Sequence, residues 1–204
     1  MSSPDSIINR SNNRVGSGTI ADLPAVAETP LCLVGLGANL DSHVGSPEET
    51  LHEAIRALSE LSDYPAVTSS LWRSRPLDCP PGSPDFINAV LAFLPRNAAQ
   101  PLALLRDLQQ IESAFGRVRQ GVLNAPRPLD LDLLMCGEAQ MSSEELTLPH
   151  PRISLRGFVL APLAEIAPGL LLPGQTQSVE KLLEGLADAG DWHPVKAVNA
   201  SVSL

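Results

Sequence analysis

An α+β sandwich is the fold that this sequence predicts, and three observations lead to it. Short apolar runs suited to buried strands alternate with two longer segments of amphipathic, helical period. These elements follow one another in the order β-α-β-β-α-β, and further apolar segments of helical type come after them. That order is typical of the split βαβ, or ferredoxin-like, arrangement, in which two helices cover one face of the sheet. The prediction is therefore a βαββαβ core with extra C-terminal helices.

The first half of the domain supplies a strand, a helix and two further strands. Residues 31–36 form an apolar run suited to a buried central strand. The Ser46–Pro47 pair, followed by two glutamates, is a helix start, and the helix is expected to reach about Leu61. Residues 67–73 and 86–94 are the next strands, joined by a Pro/Gly-rich loop. A loop so long and stiff is interpreted as a lid or pocket wall, with a plain connection as the alternative.

The second half adds a helix, an acidic strand and the C-terminal helices. Residues 101–115 have an amphipathic pattern that ends at a glycine. Residues 129–135 alternate apolar and acidic side chains, which predicts a strand. A weak strand pair is expected within 139–148, and helices are expected at 157–166 and 178–186.

The composition supports one globular domain and excludes several functions. The chain has 204 residues, is 44% hydrophobic with only 3% aromatic residues, and carries a formal net charge of −9. Such a length is enough for one well-buried core with tails. The acidic balance argues against general affinity for nucleic acid or for an anionic membrane surface. An anionic substrate would therefore need a local basic cluster.

Three segments are predicted along the chain. Residues 1–28 are rich in Ser, Asn and Gly without apolar periodicity, which indicates a disordered extension. Residues 29–188 carry the folded domain, and residues 189–204 form a C-terminal tail. No apolar run approaches the length of a transmembrane helix, and the N-terminus lacks the apolar core of a secretory signal. Cys32 and Cys136 are interpreted as reduced core residues, consistent with a cytoplasmic protein.

Asp130 and Asp132 share one face of the last core strand, opposite the face that carries Leu131 and Leu133. Side chains two residues apart on a strand lie roughly 7 Å apart along it. Two carboxylates so close repel each other, and strands are poor in Asp. A hard divalent cation with oxygen ligands would offset that cost. The alternative is an edge strand whose acids simply face water.

Basic residues flank this acidic strand in the sequence. Arg117 and Arg119 precede it, Arg127 stands between two prolines directly before it, and His150 and Arg156 follow it. Arginines near a carboxylate pair suit a metal-bound polyphosphate, because the metal bridges some phosphate oxygens and the guanidinium groups take the others. The alternative is a set of surface arginines paired with nearby acids.

These residues belong to an ordered series of motifs: Gly35–Leu40, Pro84–Ala89, Gly116–Arg119, Ala125–Asp132, Pro149–His150 and Arg156–Phe158. The series resembles the signature of the 6-hydroxymethyl-7,8-dihydropterin pyrophosphokinase family of folate biosynthesis, and it extends over about residues 30–188. The resemblance implies a ferredoxin-like fold, ATP as co-substrate, two Mg²⁺ ions and a hydroxymethyl pterin as acceptor. A monomer without nucleic-acid or membrane partners is expected.

The resemblance also implies roles for individual residues. The two Mg²⁺ ions would be held by Asp130 and Asp132, and charge on the transferred group would be neutralised by Arg117 and Arg127. The nucleotide would lie near seven residues: Gln109, Glu112, Arg119, Leu133, Thr147, His150 and Arg156. The pterin would contact five: Ser74, Leu77, Phe86, Asn88 and Phe158.

Three positions depart from the family pattern. Asn124 stands where many members carry an aromatic residue, which leaves open how the pterin is covered. Glu145 stands where some members have a basic residue, which puts one phosphate contact in doubt. Phe86 replaces a tyrosine of some members and keeps the flat ring without its hydroxyl group. At Asn88 the sequence allows a side chain that bonds its own neighbours or one that contacts a heterocycle.

Two other functions remain as alternatives. A non-catalytic ferredoxin-like module that binds a small molecule would explain the topology without the paired acids. A metal-dependent nucleotidyl- or phosphotransferase that acts on another acceptor is the enzymatic alternative. An RNA-binding sandwich is disfavoured by the net charge of −9 and by the few aromatic residues.

Overall fold

The computed structural model of the protein describes residues 15–16, 18–25, 29–96, 100–118, 124–186 and 192–195. In that part of the chain it is a mixed α+β structure with four α-helices, a seven-stranded sheet and a two-stranded sheet. The helices are α1 (Pro47–Ser59), α2 (Pro101–Ala114), α3 (Gly157–Ile166) and α4 (Val179–Glu184). The strands are β1 (Val15–Gly16), β2 (Cys32–Ala38), β3 (Ala66–Thr68), β4 (Trp72–Ser74), β5 (Phe86–Phe93), β6 (Asp130–Cys136), β7 (Met141–Ser142), β8 (Thr147–Leu148) and β9 (Trp192–Pro194).

The strands β2 and β5 form the centre of the large sheet. β2 runs antiparallel to both β5 and β6, and β5 also pairs with β3. With β1 parallel to β3, the path across the sheet is β1-β3-β5-β2-β6. β4 pairs with the other end of β5 and with β9. Along the chain the elements run β2-α1-β3-β4-β5-α2-β6, as the sequence predicts except for the separate β4.

Helices cover both faces of this sheet. On one face, Leu51, Leu58 and Leu108 of α1 and α2 are buried against side chains of β2 and β5. On the other face, Leu160 of α3 and Val179 of α4 belong to a second buried cluster with the remaining strand side chains. Because both faces are covered, the central strands are apolar throughout rather than alternating. The predicted C-terminal helices are confirmed, and they form a third layer.

β6 differs from the other central strands because it carries acids on one face. Leu131 and Leu133 are buried toward α1 and α2, as the period-two pattern predicts. The register with β2 shifts at Leu134, which is an extra residue in the ladder, that is, a β-bulge. Leu134 lies on the face of Asp130 and Asp132, as alternation predicts, and the shift brings Met135 to that face as well. The C-terminal helices partly cover this face.

The start of α1 has the predicted capping box. Ser46 Oγ accepts from the Glu49 N–H at 3.3 Å, and Glu49 Oε2 accepts from the Ser46 N–H at 2.8 Å. This exchange satisfies two of the backbone donors that every helix start leaves without partners. The helix ends at Ser59 rather than near Leu61, since the Leu61 N–H bonds to the Leu58 carbonyl in a tighter turn.

The prediction of one continuous strand at 67–73 is wrong, because the extended chain is interrupted between β3 and β4. Ser69 bonds to β5 through its backbone N–H and also through its hydroxyl, which accepts from the Val90 N–H at 3.0 Å. The next residue, Ser70, donates its N–H and its hydroxyl to Glu165 of α3, each at 2.7 Å. These side chains replace ladder hydrogen bonds, so the extended chain divides into two short strands.

Both predicted terminal segments contain ordered structure where they are described. Within the segment predicted as a disordered extension, Val15 packs on the core and β1 pairs with β3. Within the predicted tail, β9 pairs with β4, and the Trp192 ring lies so close to Gly157 that a Cβ there would overlap it. In both segments an apolar side chain, Val15 or Trp192, packs against the folded domain, and this explains why each segment forms a strand. Residues 1–14 and 196–204 lie outside the described residues.

Two further observations concern membrane-spanning helices and the cysteines. No helix among the described residues has the length and apolar character needed to span a bilayer. Cys32 and Cys136, which face each other on β2 and β6, are buried free thiols with their Sγ atoms 2.8 Å apart.

Candidate active site

A cavity of about 250 Å³ lies on the sheet face that carries Asp130 and Asp132. Its floor includes Gly35 and Gly37 of β2. A Cβ on Gly37 would stand 3.6 Å from Asn88 Oδ1, an ordinary contact, so a side chain there would not clash but would occupy the cavity. The two glycines therefore keep the floor open, which adds to the close strand packing that the sequence indicates.

The cavity brings together ten of the residues that the sequence singled out: Ser74, Leu77, Phe86, Asn88, Arg117, Arg127, Asp130, Asp132, Arg156 and Phe158. They come from β4, β5 and β6, from the loops before them and from the start of α3. The Pro/Gly-rich loop after β4 contributes Arg75 and Cys79 as well, and it thus forms a wall of the cavity.

A buried glutamate connects the end of α2 to the start of β6. Glu112, of which only 2% is exposed, accepts from the Leu131 N–H at 2.8 Å. The same oxygen, Oε1, accepts from Arg117, and Arg117 donates to Asp130 Oδ1 as well. Glu112 therefore aims the Arg117 guanidinium at the acidic strand. The sequence predicted Glu112 beside the nucleotide but gave no sign of this bond to the strand backbone.

Arg127 reaches Asp130 from the opposite direction. Its Nη1 donates to Asp130 Oδ2 at 2.9 Å, so a guanidinium group bonds to each oxygen of that carboxylate. The backbone of Arg127 is held by the buried Asn39, whose Oδ1 accepts from the Arg127 N–H at 2.8 Å. The Asn39 amide also donates to the Pro84 carbonyl at 3.2 Å and thereby joins two loops to the end of β2. Asn39 lies in the Gly35–Leu40 motif, but sequence reasoning gave it no role.

Asp132 is the less neutralised of the two acids. Its nearest cation is Arg156, whose Nη1 is 3.7 Å from Asp132 Oδ2, and 41% of its side chain is exposed. Removal from bulk water and repulsion by Asp130 raise the pKa of Asp132 to about 6, although Arg156 and Arg117 act in the opposite direction. The strand thus presents one carboxylate bonded to arginines and one that still lacks a full counter-charge.

The aromatic side of the cavity contains a buried amide. Asn88 is 5% exposed, and its Nδ2 donates to Ser74 Oγ at 3.0 Å and to the Trp72 carbonyl at 3.3 Å. No described residue donates to its Oδ1, which remains directed at the cavity. Both Phe86 and Phe158 line the same space, and each has an arginine guanidinium over its ring, at 5.8 Å and 5.4 Å from the ring centre. Flat, electron-rich surfaces are therefore available beside a free hydrogen-bond acceptor.

Asn124 connects the two loops that border the cavity. Its amide donates to the Asp78 carbonyl at 2.8 Å, and both residues have left-handed backbone, with φ of 53° each. Asn and Asp are among the residues that tolerate this conformation. The position where many family members carry an aromatic residue thus holds the loops together instead.

Several predicted nucleotide residues lie outside this cavity. Gln109 and Glu112 line a second concavity that shares Arg117 with the first. Leu133 is 3% exposed and its side chain packs in the α1/α2 core, and its place near the nucleotide stays a prediction. Thr147 lies half-buried on β8, and Arg119 lies outside the described residues.

His150 is anchored beside the bulge in β6, because its N–H donates to the Leu134 carbonyl at 2.9 Å. Burial, together with the positive charges of Arg156 and Arg152, lowers the pKa of His150 to about 4 from its usual 6.5. The imidazole is therefore neutral at pH 7 and can accept a hydrogen bond, as Nδ1 does from the Arg152 N–H at 3.2 Å.

This shift predicts a pH effect on stability. The unfolded chain binds the His150 proton more tightly than the folded protein, so the free energy of unfolding should fall as pH drops from 6.5 to about 4. A His150→Gln variant should lose less stability over that window, as measured by urea unfolding at each pH. Asp132, whose raised pKa acts in the opposite direction, is present in both proteins and cancels in the comparison. Equal pH slopes for the two proteins would contradict the prediction.

Comparisons with known proteins identify the family of this chain. Residues 33–168 match the family described as 7,8-dihydro-6-hydroxymethylpterin-pyrophosphokinase (HPPK). A Haemophilus influenzae protein named 2-amino-4-hydroxy-6-hydroxymethyldihydropteridine pyrophosphokinase is 42% identical over 156 residues, which cover 76% of this chain and 92% of the relative. A Pseudomonas aeruginosa protein of the same name is 43% identical over 141 residues, covering 69% of this chain and 82% of the relative.

A similar fold is also found among solved structures. The crystal structure of Plasmodium falciparum HPPK-DHPS wild type with pteroate has a TM-score of 0.56 and 13% sequence identity to this chain. The match covers 77% of this chain and 42% of that structure, so this chain spans less than half of its length. At that identity the likeness concerns the fold alone. The family match and the two bacterial relatives show that the chain belongs to the 7,8-dihydro-6-hydroxymethylpterin-pyrophosphokinase family.

Proposed function

We propose that this protein transfers the pyrophosphoryl group of ATP to 6-hydroxymethyl-7,8-dihydropterin in folate biosynthesis. The pterin hydroxyl oxygen forms a bond to the β-phosphorus, and the bond from that phosphorus to the oxygen bridging the α-phosphate breaks. AMP leaves with the bridging oxygen, and the hydroxyl proton passes to water. The observation that carries the proposal is one cavity in which two adjacent carboxylates, five arginines and two aromatic rings meet. The five arginines are Arg75, Arg117, Arg127, Arg152 and Arg156.

Asp130 and Asp132 suit Mg²⁺ by their donor chemistry. Mg²⁺ is usually held by one or two carboxylates, with substrate phosphates and water completing its coordination. The described residues contain no group of three or more His, Cys, Asp or Glu side chains that would hold a metal without such help. A bound cation would also supply the counter-charge that Asp132 lacks. Two Mg²⁺ ions at these acids would neutralise phosphate charge and orient the attacked phosphorus.

Arg117 and Arg127 are positioned to neutralise charge on the transferred group. Both guanidinium groups now bond to Asp130. When the carboxylate binds a cation, those donors become available for phosphate oxygens, which they bind in a fixed fork geometry. Chemistry of this kind depends on positioning and charge neutralisation rather than on a covalent intermediate.

The nucleotide is proposed to bridge the two concavities that share Arg117. Its triphosphate would lie between the acids and Arg156, with His150 held nearby by its bond to the Leu134 carbonyl. Its base and ribose would extend toward Gln109 and Glu112, which line the second concavity. The possible contribution of Arg119 and Thr147 stays a prediction.

The pterin is proposed to occupy the aromatic side, between Phe86 and Phe158. Asn88 supports this, because its Nδ2 is used by Ser74 and Trp72 while its Oδ1 remains available to accept from a ring N–H or amino group. The two alternatives that the sequence left open for Asn88 are therefore compatible. Ser74 and Leu77 would add backbone contacts at the edge of the ring.

The finer structural predictions are proposals as well. The strands β3, β5, β2 and β6, with α1 and α2 on one face, support a ferredoxin-like split βαβ core. A pyrophosphokinase domain at 29–188, a monomeric state and a cytoplasmic location are proposed with it.

One assay distinguishes the candidate functions. Protein is mixed with Mg·ATP, with and without the hydroxymethyl pterin, and the nucleotides are separated and quantified. AMP that appears only with the pterin supports the proposal. ADP instead of AMP would indicate a simple kinase. AMP that forms only when another alcohol replaces the pterin would indicate a different acceptor. Binding of the pterin without any product would favour a non-catalytic module.

A further inference from the structure

Arg152 lines the same cavity as the acids, although none of the motifs assigns it a role. It lies between His150 and Arg156, directly before the short 3-10 helix Ile153–Leu155. Its side chain is exposed, so it stands at the mouth of the cavity rather than in its interior.

The charge of Arg152 is not balanced within the site. Arg117 and Arg127 bond to Asp130, and Arg156 lies beside Asp132. Among the described residues, Arg152 has no carboxylate partner. Its positive charge lowers the pKa of both His150 and Arg156, which indicates that its guanidinium lies close to these groups. Cations held together without an anion repel one another, and a phosphate between them would relieve that repulsion.

The backbone of Arg152 is fixed although its side chain is not. The Arg152 N–H donates to His150 Nδ1 at 3.2 Å, and the Arg152 carbonyl accepts from the Leu155 N–H at 3.1 Å. The next residue, Ile153, is 3% exposed and its N–H donates to the His150 carbonyl at 3.0 Å. A long cationic side chain thus starts from a rigid point at the cavity mouth, which is a suitable arrangement for holding an anionic ligand that arrives from solvent.

We propose that Arg152 is an additional binding residue for the polyphosphate of the nucleotide, contacting oxygens of the β- or γ-phosphate. This inference rests on the proposed function. It also answers a question that the sequence raises: Glu145 stands where some family members have a basic residue, and Arg152 supplies a cation to the same substrate from another position. Arg152 reaches the site from the cavity mouth and bonds to neither acid, unlike Arg117 and Arg127, so it is assigned to binding of the polyphosphate rather than to the chemical step.

The test measures binding of a nucleotide that cannot be consumed. In α,β-methylene-ATP a carbon replaces the oxygen at the bond that breaks, so its affinity can be measured by calorimetry with Mg²⁺ present. Arg152→Ala should raise its Kd about five- to tenfold, the effect of losing one charge-assisted contact at an exposed site. The Kd of AMP, which lacks both outer phosphates, should remain unchanged. Arg152→Lys should recover part of the loss, because it keeps the charge without the planar fork.

Arg106→Ala is the matched control. Arg106 is an exposed arginine on α2 that does not line the cavity, so its replacement removes one positive charge from the chain, as Arg152→Ala does. The inference is overturned if Arg152→Ala binds α,β-methylene-ATP as tightly as the wild type or only as weakly as the Arg106 control. An equal loss of AMP affinity would also overturn it. Failure of the proposed function would look different, since the wild type itself would then form no AMP from ATP and pterin. Arg152→Gln repeats the measurement with a shorter, uncharged polar side chain, should the alanine variant prove unstable.

Discussion

Asp132→Asn should reduce turnover by about a thousandfold or more, because the proposed metal ligand is lost while the shape of the side chain is kept. Asp132 is 3.7 Å from Arg156, and burial and repulsion by Asp130 raise its pKa to about 6. The measurement is AMP formation at saturating ATP and pterin over a range of Mg²⁺ concentrations. If the metal assignment is correct, added Mg²⁺ restores little activity.

The matched control for this substitution is Asp63→Asn. Asp63 pairs with Arg96, its side chain is 66% exposed, and it does not line the cavity. Its replacement removes the same charge from the chain and should leave turnover unchanged. Near-normal activity of Asp132→Asn at millimolar Mg²⁺ would contradict the proposal that Asp132 binds Mg²⁺, whatever the control shows.

Arg127→Ala should lower kcat by about a hundredfold while weakening ATP binding much less, which is the effect of losing a donor that acts mainly on the developing charge. The side chain reaches Asp130, whereas the backbone is held separately by Asn39. The substitution should therefore remove the guanidinium without displacing the loop. Steady-state kinetics with each substrate varied, together with the Kd of α,β-methylene-ATP, separates the two effects.

Two further variants make this result interpretable. Arg127→Lys keeps the charge but loses the planar fork, so it should recover only part of kcat. Arg96→Ala, which removes an arginine that pairs with Asp63, should behave like the wild type. An unchanged kcat with a raised KM for ATP would mean that Arg127 contributes only uniform binding.

The acidic strand was predictable from sequence because its information is local. Alternating residues must point to opposite faces of a strand, so Asp130 and Asp132 had to share a face whichever sheet they joined. The same holds for the start of α1, where Ser46 and Glu49 bond to each other across three residues. The position of Arg127 beside the acids was also predictable from local sequence, since Arg127 is only three residues from Asp130.

Other features of the site depend on contacts between distant segments, and local patterns do not contain them. Helical period places Glu112 beside Gln109, but the bond from the Leu131 N–H to Glu112 requires the strand to be docked first. Asn39 holds Arg127 from far along the chain, and Arg152 reaches the mouth of the cavity because the segment after β8 bonds to β6 through His150. The bulge at Leu134 follows from pairing with β2, which a strand pattern alone does not reveal.

The division between β3 and β4 has a similar origin. The apolar and β-branched residues of 67–73 favour a continuous strand, yet Glu165 of α3 accepts three hydrogen bonds from that stretch, two from Ser70 and one from Trp72 Nε1 at 2.9 Å. The interruption of the strand thus coincides with hydrogen bonds to one carboxylate, which lies on a helix about 95 residues further along the chain.

The pairing of β4 with β9 places both tryptophans of the chain, Trp72 and Trp192, on neighbouring strands. The Trp72 carbonyl accepts a hydrogen bond from the Asn88 amide. The Trp192 ring packs against Gly157, the residue between Arg156 and Phe158 in the sequence. The tryptophan fluorescence of the protein therefore originates beside the aromatic side of the cavity, which neither indole lines. An emission change on titration with the pteridine would report its docking directly, without a label and without turnover.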